Sequence, residues 1–138
     1  MKLVLDTNVL VAALIARGQC ADLLEHCILR HSVISSQFIL DELDETLKRK
    51  FHYTADESYE AVDLIRSQMQ VVLPDKFDPS RCRDPDDAWI LGTAIGGDAR
   101  CIVTGDKDLL VLQRFEGIDI LRPGDFIDYE LNNSGESQ

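Results

Sequence analysis

Positive charge is scarce in this sequence. Fourteen Lys and Arg stand against 25 Asp and Glu, a formal net charge of −11, and a chain of that sign cannot hold the anionic phosphate backbone by bulk electrostatics. A simple nucleic-acid-binding module is therefore disfavoured. An enzyme acting on nucleic acid is not excluded, because bound divalent cations invert the field where acids gather. Cysteine is sparse too. Cys20, Cys27, Cys82 and Cys101 include no C-x-x-C pair and no histidine at zinc-finger spacing, so a structural zinc site is not expected and the four read as reduced, mostly buried thiols. His26, His31 and His52 fit no ligand spacing and are expected at the surface. Long apolar runs are missing: the longest, Val9 to Ala16, falls far short of the ~20 residues that span a bilayer. The opening Met1-Lys2-Leu3-Val4-Leu5 is broken at once by Asp6 and Asn8, so no secretory leader is expected and a cytoplasmic location is. The sequence has no Walker P-loop, no G-x-G-x-x-G and no evident Ser, Cys or His nucleophile. The aspartyl-phosphatase pattern D-x-D-x-T fails as well, because Asp6 is followed by Thr7 and Asn8.

What is present is ordinary globular composition, 45% hydrophobic and 28% charged over 138 residues, enough for one domain with its own core. Residues 1–131 are expected to form that domain and 132–138 a polar, frayed tail. Lys2 to Leu5 reads as a strand, Asp6-Thr7-Asn8 as a polar turn, and Val9 onward as a buried helix. Helical spacing returns from Ala21 to Arg30, followed by a short strand at Ser32 to Ser35. A helix capped by Ser35 or Ser36 then ends at Lys48-Arg49-Lys50. Thr54-Ala55-Asp56-Glu57 is a capping signal for a further amphipathic helix. Val71 to Leu73 reads as a strand, Pro74 to Pro85 as a loop, and Asp86 or Asp87 to Ile95 as a helix closed by Gly96-Gly97. Strand Ile102 to Thr104, helix Leu109 to Leu112, strand Ile118 to Leu121 and a helical turn or two from Pro123 to Leu131 complete the chain. Such alternation predicts an α/β fold with a mostly parallel sheet covered on both faces.

In sheets of this kind the functional crevice lies beyond the carboxyl ends of the strands. Asp6 and Asp106 each follow a strand directly, and an acid there is costly to bury unless a cation or donors meet it. Glu42 sits at the margin of the apolar stripe carrying Ile39 and Leu43, whereas Asp41 and Glu45 fall farther round the helix. Asp84, Asp86 and Asp87 crowd one helix start, where a single acid would suffice as a cap. Asp87 directly precedes the buried stripe Ala88, Leu91, Ala94 and Ile95 and is favoured as the ligand, with Asp84 second and Asp86 exposed. Oxygen donors without His or Cys point to Mg²⁺ or Mn²⁺ rather than zinc. A metal-bound water can then attack a phosphodiester. Against the chain's acidity, a local basic rim is expected from Lys48, Arg49, Lys50, Arg81, Arg83 and Lys107, with Lys107 favoured because it lies between Asp106 and Asp108.

Together these strings resemble the PIN domain, in particular its bacterial VapC-like group of toxin ribonucleases. Leu3-Val4-Leu5-Asp6-Thr7-Asn8-Val9-Leu10 is similar to the family's opening strand and D-T-N motif. Ser35 to Leu43 resembles the helix bearing the second acid, Arg83-Asp84-Pro85-Asp86-Asp87 with the Trp89 to Ala94 helix the third motif, and Ile102 to Leu109 the fourth. Four such strings in order are specific where one alone is weak. The resemblance implies a three-layer α/β/α PIN-like fold and a metal-dependent endoribonuclease acting on single-stranded RNA. It also implies frequent homodimers and often a protein antitoxin. It makes Asp6, Glu42, Asp87 and Asp106 metal-coordinating acids, Asn8 and Thr104 residues that orient them, and Asp108 or Asp84 an accessory acid. Asp86 and Asp87 are adjacent, and a one-residue shift exchanges them.

Overall fold

The computed structural model describes residues 1–76 and 84–133. Arg81, Cys82 and Arg83 lie outside the described residues. Six strands form one sheet in the order β3-β2-β1-β4-β6-β5. They are β1 (Lys2–Leu5), β2 (Ser32–Ser35), β3 (Gln70–Val71), β4 (Cys101–Val103), β5 (Arg114–Phe115) and β6 (Ile118–Leu121). All pairings are parallel except that of β5 with β6. Among the described residues the helices are α1 (Thr7–Ile15), α2 (Gln19–Arg30), α3 (Gln37–Phe51), α4 (Ala55–Ser67), α5 (Asp87–Gly96), α6 (Lys107–Leu110) and α7 (Phe126–Asn133), the last entered through a 3-10 turn at Pro123–Asp125.

The chain first winds outward from β1 to β2 to β3, then returns to β4 on the other side of β1. Right-handed crossovers place helices on opposite faces when the winding reverses, which gives three layers. Helices α1 to α4 pack on one another, and α5 packs against β1 and β2. The strands are buried apolar runs, Leu3, Val4 and Leu5 on β1 and Cys101, Ile102 and Val103 on β4, as expected of a parallel sheet covered on both sides. The reversal makes the junction of β1 and β4 the topological switch point, where side chains beyond both strand ends face a common opening.

Several local expectations are met for the anticipated reason. Thr54 accepts from the Glu57 N–H while Glu57 accepts from the Thr54 N–H, closing a capping box on α4. Other boundaries shift. Strand β3 sits one residue early and is only two residues long, because β2 pairs with it only through Ile34 and Ser35. Strand β5 was not anticipated, since two residues carry no periodicity. Glu116 and Gly117, at φ 50° and 80°, turn it into β6 as a tight hairpin. Gly96 belongs to α5 rather than to its stop: a Cβ there would meet the Leu73 carbonyl oxygen at 2.2 Å. Helix α7 runs on through Asn133, whose side chain accepts from Arg100, two residues into the expected tail.

The histidine expectation needs correction. His52 is exposed at the left-handed end of α3, but the His31 side chain is only 10% exposed and both His31 and His26 contact Glu130 of α7. Linear spacing missed this because the third partner comes from the far end of the chain. Cys20, Cys27 and Cys101 are free thiols, the last two fully buried. No single helix among the described residues is long and apolar enough to cross a membrane.

Candidate active site

Beyond the carboxyl ends of β1 and β4 opens a crevice of about 390 Å³. It is lined by Asp6, Glu42, Asp87 and Asp106, with Asp84 and Asp86 also on its wall. Asp6 follows β1 and caps α1, and its carboxylate is tied on both oxygens. Oδ1 accepts from the Thr7 N–H at 2.7 Å and Oδ2 from the Thr104 hydroxyl at 2.6 Å. Thr104, fully buried after β4, in turn accepts from the Asp106 N–H at 3.0 Å. One hydroxyl thus fixes both strand-end acids. Asp106 also caps α6 through the Asp108 N–H at 2.9 Å.

Glu42 reaches the crevice from the half-buried side of α3, where the Thr7 hydroxyl donates to its Oε1 at 2.8 Å. That role for Thr7 was not read from the sequence, although the residue stands in the middle of the D-T-N string. Its signal is tertiary, since the bond joins residues 35 apart. Asn8 is exposed and lines the opening beside these acids. Of the crowded trio, Asp87 is buried and Asp84 and Asp86 are exposed. The Asp84 carboxylate accepts from the Asp86 N–H at 3.0 Å, an Asx turn that leads into α5.

Burial and mutual repulsion act on Asp6, Glu42 and Asp87. Asp87 is pushed up to about 7 by burial, then by the charges of Asp106, Asp84 and Asp6 and by a side-chain hydrogen bond with Asp106. Burial raises Asp6 as well, against the bonds from Thr104 and Thr7, and Asp106 adds to the rise. Glu42 rises through burial and the charges of Asp6, Asp86 and Asp84, opposed by the Thr7 bond. The charges of Asp6 and Asp84 act on both Asp87 and Glu42, so the acids of the crevice form one coupled group. A cluster whose members resist ionising together is one a cation would relieve. The donor set is carboxylate oxygen throughout, which fits hard Mg²⁺ or Mn²⁺.

The basic candidates divide. Arg49 and Lys50 line the crevice from the end of α3. Lys48 and Lys107 are exposed and stand outside its lining. Lys48 pairs with Asp44 at 2.9 Å and Arg49 with Glu45 at 3.7 Å, both one helical turn back. Asp108 is half-buried at the first turn of α6, also outside the lining.

Two solved structures share this architecture. VapBC2 from Rickettsia felis, bound to a DNA fragment from their promoter, is similar with a TM-score of 0.66 at 18% identity, over 88% of this chain and 98% of that one. VapBC-1 from nontypeable Haemophilus influenzae gives a TM-score of 0.65 at 16% identity, over 90% and 99%. At such identities the likeness is one of fold. No curated protein matches the chain. The family model described as PIN domain matches residues 2–108, a span that holds all four inner acids, both tethering threonines and the switch point between β1 and β4, and the chain belongs to the PIN domain family.

Proposed function

We propose that this chain is a metal-dependent endoribonuclease that cleaves single-stranded RNA, and that it is the toxin of a toxin–antitoxin pair. The observation that carries the reading is the convergence of Asp6, Glu42, Asp87 and Asp106 from four separate segments on one crevice. A fold that needed only stability would gain nothing by opposing these charges. The four acids would hold Mg²⁺ or Mn²⁺, which when bound supplies an ionised water as nucleophile and offsets charge on the phosphodiester. Thr104 and Thr7 are the positioning residues. Thr104 holds Oδ2 of Asp6 and Thr7 holds Oε1 of Glu42, which fixes the two carboxylates at the crevice.

Asp86, exposed at the mouth, and Asp84 and Asp108 are accessory acids in this reading, with Asn8 beside them. Arg49 and Lys50 meet the RNA phosphates at the wall, Lys48 and Lys107 extend the basic surface, and Arg81 and Arg83 are further RNA-binding candidates by sequence alone. The VapC-like motifs and two structural neighbours that are both VapBC support a protein antitoxin that covers the crevice. A homodimer and a cytoplasmic location belong to the same proposal.

The test incubates purified protein with mixed RNAs, with and without Mg²⁺ or Mn²⁺, beside Asp6→Asn. Cleavage that needs both metal and Asp6 supports the reading. Cleavage that survives EDTA and the substitution overturns it. Absence of both cleavage and a carboxylate-dependent metal site by calorimetry would instead leave a PIN fold used to bind a protein partner.

A further inference from the structure

At the opposite, amino-terminal edge of the sheet, three ligating side chains meet outside the acidic crevice. His31 ends α2 just before β2, His26 lies one turn and a residue earlier, and Glu130 is on α7. Their ligand atoms lie within 4.8 Å of one another. The geometry is convergent: His26 Nε2 lies 2.7 Å from Glu130 Oε2, and His31 Nε2 contacts that same oxygen. We propose that His26, His31 and Glu130 form a second divalent-metal site, of the imidazole and carboxylate kind that takes Zn²⁺ or Co²⁺, fastening α7 to α2.

The chemistry of the donors separates this site from the first. Two imidazoles and one carboxylate suit borderline transition ions, whereas hard Mg²⁺ prefers oxygen alone. The surroundings hold the ligands in place. The fully buried Phe126 ring stands edge-on to both imidazoles, its centroid 6.5 Å from that of His26 and 5.7 Å from that of His31. On its other nitrogen, His31 Nδ1 lies 3.0 Å from the Met1 amino group, fixing the ring plane. Cys27, next in sequence to His26, does not join the set, because its thiol is fully buried and pushed up to about 12. Three protein ligands then leave a fourth position on the side of His26, whose side chain is 37% exposed. Glu130 lies beyond the 2–108 span that the family model matches, so the site does not rest on the nuclease reading.

The experiment uses the full chain without a polyhistidine tag, in saturating Mg²⁺ to fill the crevice. Zn²⁺ is titrated by calorimetry and its effect on melting temperature recorded. One equivalent should bind and raise the melting temperature by a few degrees, since a ligand of the folded state alone stabilises it. His26→Ala and Glu130→Gln should lose both effects and Asp6→Asn should keep them. Zn²⁺ binding that is absent, or that persists in His26→Ala and Glu130→Gln, overturns the proposal and leaves the trio a hydrogen-bonded clasp. In the wild-type chain, where no variant has to fold, paramagnetic Co²⁺ should shift the ring protons of His26 and His31 and spare those of His52. Unmoved His26 and His31 signals would overturn it independently.

Discussion

The Thr104 hydroxyl binds Asp6 and receives the Asp106 N–H, so one side chain sets the spacing of two acids. Thr104→Val keeps the shape and removes both bonds, which should destabilise the protein by ~1–3 kcal/mol and weaken Mn²⁺ binding by ~10–100-fold. Denaturant melts and calorimetry check the two effects, and a variant that changes neither would remove Thr104 from the site. Asp6→Asn should go further on activity, lowering RNA cleavage by at least about a hundredfold, ~3 kcal/mol of transition-state stabilisation. Asp87 gives a pH prediction. Its pKa in the folded protein, about 7, stands above the ordinary aspartate value of 3.8, so the folded form binds the proton more tightly than the unfolded one. Its contribution to stability is whole below the unfolded value and is lost as pH rises through the folded one. In EDTA the melting temperature should therefore fall between about pH 4 and about pH 7, and Asp87→Asn should flatten that decline. An unchanged slope in the variant would place the titrating group elsewhere.

Helix α5 carries its own constraint. Cβ atoms at Gly92 and Gly96 would meet the carbonyl oxygens of Asp75 and Leu73 at 2.4 and 2.2 Å, so the chain after β3 lies directly on the helix that presents Asp87. Gly96→Ala should cost ~1–3 kcal/mol through backbone displacement, although alanine is the better helix former. A melting temperature at or above wild type would show that this contact yields cheaply. What could be read in advance divides along the same line. Asp6 and Asp106 were legible because a strand end is marked by its apolar run, and Asp87 because it adjoins the buried stripe of its own helix. Thr54 announced its cap within four residues. The hydrogen bond from Thr7 to Glu42, the meeting of His26 and His31 with Glu130, and the true role of Gly96 each join segments distant in sequence. No local pattern encodes them. Strand β5 was missed for the opposite reason, being too short to show a period at all.

At the scale of the molecule, the difficulty is a net charge of −11 in a protein proposed to hold RNA. Metal in the crevice lowers that charge only locally, so the rim must supply counter-charge of its own. Lys107 looked best placed in sequence, yet it is Arg49 and Lys50 that line the opening. Arg49 already faces Glu45 at 3.7 Å with both side chains largely exposed, a pair worth no more than ~1 kcal/mol that a phosphate can displace. Replacing both Arg49 and Lys50 by Ala should weaken RNA binding, lower the slope of log affinity against log salt by about one to two, and leave Mg²⁺ affinity nearly unchanged. Lys107→Ala should change the slope less. Binding measured at several salt concentrations with uncleaved RNA on the Asp6→Asn background separates attachment from turnover. If the double variant keeps the slope of its parent, the phosphate contacts lie off this wall, and a second subunit or partner must bring the positive surface to the crevice.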